Sequence, residues 1–324
     1  MLYPFTFQPI FKERIWGGRN IERLYKKKLP AKIPIGESWE ISDRPNDESV
    51  IANGPLAGKS IRWLMENHRD ELLGSAKPAY SERFPLLIKI LDAQEKLSLQ
   101  VHPPAAKAAQ LGGEPKTEMW YITDATSEAD LFVGLKRGTT RADFEKRIQN
   151  GSVAECFHRI PVKKGDAMFL PSGRVHAIGA GNVIFEIQQN SDTTYRVFDW
   201  NRVDAQGQPR ELHIEQSLAS IDFNDIEPNL IHGEPIEQNG IKRCQLVLDP
   251  LFAVDLCEIR SGESFQMDQR TMQIIGVLEG EIIAEHEQKK IVLGAGQFGL
   301  IPASLKSVTA FAKIRTSFLK IRAV

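Results

Sequence analysis

Polar and apolar residues alternate strictly in residues 97–102, Leu-Ser-Leu-Gln-Val-His, and this alternation restricts the fold more than any other feature of the chain. In a β-strand successive side chains point to opposite faces. The three apolar side chains are therefore expected to enter a core, while Ser98, Gln100 and His102 face one cavity. Such a polar face is typical of a site.

Two other segments carry residues of the same chemical kind. Glu118 stands in Lys-Thr-Glu-Met-Trp-Tyr-Ile, and His176 ends Gly-Asp-Ala-Met-Phe-Leu-Pro-Ser-Gly-Arg-Val-His. With Gln100 and His102 they form a mixed nitrogen and oxygen set that suits zinc or a similar divalent ion. In the alternative, Glu118 is a solvated strand residue. Because Glu118 and Trp120 share a face of the strand, Trp120 would then also point to solvent, which is unusual for so large a side chain.

The rest of the chain reads as a β framework with a few helical insertions. Residues 85–92 form an almost continuous apolar run, expected of a strand that is buried on both faces, with Lys89 as the exception. Helical spacing occurs in only three places, around residues 61–72, 144–148 and 214–221. Four further strands are predicted at residues 119–122, 131–134, 167–170 and 183–188.

A weak internal repeat predicts two β-barrels of the jelly-roll type. A glycine, five residues and a proline recur at 165–171 and at 296–302. His176 follows the first copy, whereas Ser307 stands in the corresponding place after the second, so the second barrel is expected to lack a metal. We predict a metal-binding domain at 1–225 and a degenerate domain at 226–324, with a polar linker at 222–240.

Composition limits the partners. The 324 residues include 41 Lys plus Arg and 42 Asp plus Glu, so no strong field draws the protein to nucleic acid or to a membrane. No apolar run of about 18 residues and no secretion signal occurs, which predicts a cytoplasmic protein. The three cysteines are widely spaced and form no Cys-x-x-Cys pair, which favours free thiols.

These motifs together resemble the type I mannose-6-phosphate isomerases, zinc-dependent members of the cupin superfamily, and the length resembles their short bacterial branch. The resemblance is carried by Trp-Gly-Gly at 16–18, Ile-Gly-Glu-Ser-Trp-Glu at 35–40, Leu-Leu-Ile-Lys at 86–89, Leu-Ser-Leu-Gln-Val-His-Pro at 97–103, Lys-Thr-Glu-Met-Trp-Tyr at 116–121, Asn-Ser-Asp-Thr-Thr-Tyr-Arg at 190–196 and Arg-Glu-Leu-His-Ile-Glu at 210–215. It implies a mainly β, double-cupin fold.

The resemblance also implies roles for individual residues. It implies that one Zn²⁺ per chain is held by Gln100, His102, Glu118 and His176. Arg196 matches an active-site arginine, Asp192 matches an acidic residue that transfers a proton, and Lys116 matches a lysine beside the metal-binding glutamate. Ser98 and Lys89 match residues that contact the substrate or its phosphate, although Lys89 also reads as an edge or snorkelling lysine.

Two positions depart from familiar patterns. Cupins often have His-x-His in the first motif, whereas this chain has Gln100 and His102, the arrangement of the isomerase family. The asparagine that usually follows the second-motif histidine by four residues is Ala180 here. The remaining histidines are expected in surface, turn or capping roles, namely His68, His158, His213, His232 and His286.

The function implied is the reversible conversion of mannose 6-phosphate to fructose 6-phosphate by a monomer or homodimer. Aldose–ketose isomerisation moves a proton between C1 and C2 and needs a base and a group that stabilises negative charge. Asp192 is the first candidate for the base, with Lys116 and a metal-bound water as competitors. The alternatives are another cupin sugar-phosphate isomerase, such as one acting on glucose 6-phosphate, and a non-catalytic sugar-binding cupin.

Overall fold

A computed structural model describes residues 1–76, 78, 82–203, 207–238, 240–267 and 270–324. Strands dominate these residues, as the sequence predicts. The strands of the first part of the chain are β1 (Ile10–Gly18), β2 (Ile35–Ile41), β3 (Asp43–Arg44), β4 (Asp47–Glu48), β5 (Leu86–Ala93), β6 (Leu99–Val101), β7 (Glu118–Ala125), β8 (Asp130–Leu135), β9 (Phe157–Pro161), β10 (Ala167–Leu170), β11 (His176–Ile178), β12 (Asn182–Gln189) and β13 (Tyr195–Phe198).

The later part of the chain is also built of strands, and the helices are short. The later strands are β14 (Ile236–Gln238), β15 (Ile241–Leu248), β16 (Phe252–Ile259), β17 (Ser264–Gln266), β18 (Gln273–Glu279), β19 (Glu281–His286), β20 (Lys289–Gly294), β21 (Phe298–Ile301), β22 (Thr309–Ala312) and β23 (Thr316–Ala323). The helices are α1 (Asn20–Tyr25), α2 (Ile61–Asn67), α3 (Arg69–Leu73), α4 (Ala105–Ala108), α5 (Arg141–Gln149), α6 (Ile214–Ser220) and a 3-10 turn at Val153–Cys156.

Two sheets of the first part pack face to face. One has the strand order β1-β2-β5-β12-β7-β10 and the other has β13-β6-β11-β8-β9. Leu91 and Trp120 from the first sheet meet Leu131, Val133 and Ile178 from the second in one buried cluster. Because both layers contribute apolar side chains, this cluster forms the floor of a two-layer sandwich.

The later strands repeat the same arrangement. Their sheets have the orders β14-β15-β16-β23-β18-β21 and β17-β22-β19-β20. The repeated glycines at 165 and 296 adopt positive φ, 95° and 75°, immediately before β10 and β21, which lie at the same edge of their respective sheets. The internal repeat seen in the sequence is therefore a repeat of the fold. The proposed division at 225/226 stays a prediction.

The two six-stranded sheets pack against each other through their outer faces. Phe185 on β12 lies 4.9 Å from Phe298 on β21, and Phe169 lies 6.3 Å from Phe252 between ring centroids. All eight residues of β5 are consequently buried, since one face meets the sandwich interior and the other meets this shared core. The almost continuous apolar run of residues 85–92, with Lys89 as its exception, follows from that double burial.

The amphipathic helices form where the sequence predicts them, with one difference. Thr140 caps α5 by accepting a hydrogen bond from the N–H of Asp143, and α6 covers Ile214–Ser220. The segment predicted from residues 61–72 forms two helices, because His68 leaves the helical region with φ −142°. Among the described residues, no helix has the length and apolar character needed to cross a membrane.

The predicted linker is attached to the first sandwich over much of its length. Ile226 forms a β-bridge with Leu135, and the N–H of Ile231 donates to the carbonyl of Ala167 at 2.8 Å. Arg174 also binds Asp225 through two nitrogens. The later part of this segment enters β14, and Asn239 lies outside the described residues.

Candidate functional site

A polar cleft opens at the rim of the first sandwich, above its apolar floor. It has a volume of about 560 Å³. The six-stranded sheet supplies Lys89 and Glu186, and the five-stranded sheet supplies Gln100 and Arg196. The alternation holds for residues 98–101, because Leu99 and Val101 are fully buried in the outer core while Ser98 and Gln100 line the cleft. Leu97 differs from the prediction, since it belongs to the floor cluster and borders the cleft.

Strand register brings Arg196 beside the cluster of metal-type residues. On adjacent strands His176 pairs with Gln100, and Gln100 pairs with Arg196. Residues directly opposite each other in antiparallel strands project to the same face of the sheet. The three side chains therefore share one face, although they come from distant parts of the sequence.

His102, Glu118 and His176 converge at the inner end of this face, and all three side chains are buried. His102 Nε2 lies 3.5 Å from Glu118 Oε2, and His176 Nε2 lies 3.4 Å from Glu118 Oε1. Candidate donor atoms of all three lie within 4.8 Å of one another. Such spacing permits contact with a single ion.

A turn joins the two histidine-bearing segments. Gly173 has φ 95°, which favours glycine, and its N–H donates to the carbonyl of His102 at 2.9 Å. A Cβ added at Gly173 would also lie 3.3 Å from the carbonyl oxygen of Ser220. The glycine ahead of His176 therefore lets this turn close onto His102.

Backbone carbonyls orient both imidazole rings. His102 Nδ1 lies 2.8 Å from the carbonyl of Thr193, and His176 Nδ1 lies 2.9 Å from the carbonyl of Arg174. An Nδ1–H that donates to a carbonyl leaves Nε2 unprotonated and directed at the cluster. Burial lowers the pKa of both rings, that of His102 to about 4, so both are neutral at neutral pH.

Glu118 is a buried carboxylate with incomplete hydrogen bonding. Its two oxygens have no well-oriented hydrogen bond within the described parts of the chain, although Lys116 Nζ comes within 2.8 Å of Oε2. Burial alone would raise the pKa of Glu118, but Lys116 and the imidazoles hold that pKa well below its ordinary value. Burial alone would lower the pKa of Lys116, but Glu118 and Glu186 raise it.

A divalent cation fits this arrangement. An ionised carboxylate with unsatisfied oxygens and two neutral imidazole nitrogens is the donor set that zinc and related ions prefer. Gln100 Nε2 lies 3.4 Å from His176 Nε2, and a half-turn of the amide would place its oxygen there instead. His102, Glu118 and His176 could thus hold an ion, and Gln100 is close enough to add an oxygen.

Lys89 is neither an edge lysine nor a snorkelling one. It lies on β5 in the middle of the six-stranded sheet, and it is buried. Its Nζ lies 3.0 Å from Glu186 and 4.0 Å from Glu37, and Trp39 covers it at 5.2 Å from the ring centroid. Burial opposes ionisation of Glu37, but Lys89 and Arg14 lower its pKa to about 2. Lys89 is therefore a charged member of a buried network.

Asp192 lies at the outer rim of the cleft. Its side chain is 53% exposed, and Oδ1 accepts a hydrogen bond from Arg44 at 2.6 Å. Arg196 is held further inside, where its Nη1 donates to the carbonyl of Glu211 at 2.8 Å and its buried Nε has no described partner. Burial and the charge of Arg210 lower the pKa of Arg196.

Sequence reasoning missed several residues of the cleft wall. His213 was expected in a surface, turn or capping role, and it does stand at the N-cap position of α6. It also lines the cleft, where its Nδ1 accepts a hydrogen bond from the N–H of Arg196. Glu37, Trp39, Glu186 and Arg210 also line the cleft. Four of these five residues lie in the motifs at 35–40 and 210–215, and Glu186 lies in neither. The polar residues of these two family-like motifs were the signal that could have identified them.

Known proteins similar to this chain belong to one enzyme family. The family model described as phosphomannose isomerase type I, catalytic domain, matches residues 5–130. Mannose-6-phosphate isomerase ManA of Bacillus subtilis is 40% identical over 281 residues, with 86% of each chain covered. A mannose-6-phosphate isomerase of Streptococcus mutans is 36% identical, with 95% of each chain covered.

Solved structures show the same fold. A crystal structure of the mannose 6-phosphate isomerase from Bacillus subtilis superposes with a TM-score of 0.88, at 32% identity and with 99% of both chains covered. A phosphomannose isomerase mutant from Salmonella typhimurium gives 0.78 at 17% identity, which supports the fold alone. The mainly β, double-cupin fold expected from the sequence is confirmed.

We expect Glu118→Gln to lower bound divalent metal at least tenfold, because the substitution replaces the charged donor between two imidazoles while preserving its shape. His213→Gln serves as the matched control, since this histidine lines the cleft outside the cluster. Metal per chain is measured by elemental analysis after dialysis. Equal metal in Glu118→Gln and wild type would contradict the cluster assignment.

Proposed function

This chain belongs to the type I phosphomannose isomerases, and we propose that it interconverts mannose 6-phosphate and fructose 6-phosphate in the cleft of the first sandwich. The observation that carries this proposal is the buried His102, Glu118 and His176 cluster with Arg196 on the adjoining face. The agreement with mannose-6-phosphate isomerases over most of the chain supports the choice of substrate.

The metal of this proposal is one zinc ion per chain, held by Gln100, His102, Glu118 and His176. The ligand set consists of two neutral imidazoles, a carboxylate and an amide oxygen, without a thiolate. Catalytic zinc sites use such nitrogen and oxygen ligands and leave a coordination position open for the substrate. When bound, the ion acts as a Lewis acid on the substrate oxygens. The chain's own residues bind the sugar, balance its charge and move the proton.

Arg196 stabilises the negative charge that develops as the enediol forms. A guanidinium stays protonated even where burial lowers its pKa, so it supplies positive charge without exchanging the substrate proton. The carbonyl of Glu211 accepts a hydrogen bond from the guanidinium, and the ring of His213 accepts one from the backbone N–H of Arg196. A positioned donor of this kind commonly contributes roughly 3 kcal/mol, or about a hundredfold in rate.

Asp192 moves the proton between C1 and C2. A carboxylate can accept a proton and return it, and Arg44 holds this one at the rim of the cleft. Lys116 is a weaker candidate because it is buried and its Nζ lies 2.8 Å from Glu118 Oε2, which engages it with that carboxylate. Lys116 instead balances the charge of Glu118.

Ser98 and Lys89 contact the substrate or its phosphate. Both line the cleft, on neighbouring layers of the sandwich. The ammonium group of Lys89 has three N–H donors. Of the two carboxylates in its network, only Glu186 lies within hydrogen-bonding distance, at 3.0 Å, whereas Glu37 lies at 4.0 Å. Lys89 thus retains donors for a substrate oxygen, and Ser98 adds a hydroxyl.

The protein of this proposal works in the cytoplasm. Cys156, Cys244 and Cys257 are free thiols in the structure. Free thiols persist in reducing compartments, and sugar phosphates are intracellular metabolites of the kind such a cleft would meet.

Removing the metal should abolish isomerase activity on mannose 6-phosphate, and adding Zn²⁺ should restore it, because the bound ion would supply the Lewis acid of the reaction. The assay measures fructose 6-phosphate formed before chelation, after chelation and after addition of Zn²⁺. Glucose 6-phosphate in the same panel tests the alternative sugar-phosphate isomerase. Full activity of the metal-free protein, or a preference for glucose 6-phosphate, would contradict the proposal.

Arg196→Ala should lower kcat on mannose 6-phosphate by about a hundredfold or more while metal stays near one ion per chain, because only charge stabilisation is removed. Arg147→Ala is the matched control, since this arginine lies on α5 and pairs with Glu155 away from the cleft. Both variants are measured by steady-state kinetics and elemental analysis. Near-normal turnover of Arg196→Ala would end its assignment.

Asp192→Asn should lower kcat by roughly a hundredfold, the scale of a lost general base, with a smaller change in KM. The expected signature is slower exchange of the C2 proton of mannose 6-phosphate with deuterated solvent, followed by NMR. Asp124→Asn, at an exposed ion pair with Arg23, provides the control. Unchanged exchange in Asp192→Asn would assign the proton transfer to another group.

A further inference from the structure

The second sandwich has a cavity at the place that corresponds to the metal cluster of the first. In the first sandwich Glu118 begins β7 and pairs with Leu170 at the end of β10. In the second, Gln273 begins β18 and pairs with Ile301 at the end of β21. Because the two six-stranded sheets have the same strand order, Gln273 occupies the position of Glu118.

The neighbouring positions have changed from acidic and neutral residues to cations. Gln188 on β12 lies opposite Glu118, and Glu186 lies two residues before Gln188 on the same face of the sheet. Opposite Gln273 on β23 stands Arg322, and Lys320 precedes it on the same face. At these three positions the first sandwich has two carboxylates and an amide, whereas the second has an amide and two positive charges.

These three side chains line a cavity of about 350 Å³ together with Ser75, Arg270, Thr271 and Val324. Gln273 is 3% exposed, and its Oε1 has no hydrogen-bond partner among the described residues. A buried amide oxygen without a donor is costly, so a ligand donor at this place would be favourable.

Two of the three cations that line the cavity, Lys320 and Arg322, have no counter-ion among the described residues. Lys320 and Arg322 are half-buried, and neither forms an ion pair with any residue in the described ranges. Asp255 lies on the same face opposite Lys320, but Arg243 Nε binds it at 3.0 Å. With Asp255 neutralised in this way, the cavity keeps an excess of positive charge.

We propose that this cavity binds a small phosphate monoester that also carries a hydroxyl group. Lys320 and Arg322 would hold the phosphate, since two cations match its charge and a guanidinium matches its oxygens. The unpartnered Oε1 of Gln273 would accept a hydrogen bond from the hydroxyl. The fold has thereby retained the mouth of the second barrel as an anion site, separate from the catalytic cleft.

The test titrates the metal-loaded protein with glycerol 3-phosphate in a calorimeter. The double variant Lys320→Gln, Arg322→Gln should weaken one binding event by about tenfold to a hundredfold, the range for lost hydrogen bonds to a charged group. Lys290→Gln, an exposed lysine on β20 of the same sandwich, is the matched control. Turnover of mannose 6-phosphate should stay within twofold in all three proteins, which shows that they are folded.

Identical titrations of wild type and the double variant would overturn the proposal, as would a wild-type titration with no event outside the catalytic cleft. Arg196→Ala separates the two sites, because it should lose turnover and keep this binding event. Gln273→Leu should weaken the binding of glycerol 3-phosphate more than the binding of inorganic sulfate, because sulfate has no hydroxyl group to donate to Gln273. If Gln273→Leu weakens the binding of both anions equally, Gln273 does not bind a hydroxyl group of the ligand, which contradicts that part of the proposal.

Discussion

The buried carboxylate of Glu118 is the constraint on which the first sandwich depends. A charge without solvent is very costly unless opposite charges or donors surround it. Lys116 approaches it at 2.8 Å, and the Nε2 atoms of His102 and His176 face its two oxygens. The residues that stabilise this carboxylate also create the place for a cation, so the same desolvation underlies both stability and chemistry.

The sandwich brings these groups together through sheet register and rigid turns. Cross-strand pairing places Arg196, Gln100 and His176 in one row, and the turn at Gly173 ties His176 to His102. Below them the apolar floor around Trp120 keeps solvent out, and Trp120 itself donates to Glu186 in the neighbouring network. The cleft is thus polar at its walls and closed at its base, which strengthens electrostatic interactions within it.

The repeated sheet order lets one protein combine the cleft of the first sandwich with a differently charged cavity in the second. The shared core between the six-stranded sheets requires apolar residues on the outer faces of both, such as Phe185 and Phe298. The inner faces at the two mouths carry no such requirement, so Glu118 and Gln273 can differ in charge at the same position of the fold. Stability restrains one face of each sheet and leaves the other free to acquire a function.

The sequence by itself determined the strands, the repeat and the metal-type cluster, because period-two alternation, paired turns and clustered His and Glu residues are local signals. Residues 167–170 form a strand as predicted, and His102 and His176 meet at one carboxylate. Only the tertiary structure decided that Lys89 is a buried partner of Glu186 and that His213 supports Arg196. Those contacts join residues far apart in the chain, and they depend on sheet order and register, which no local pattern specifies.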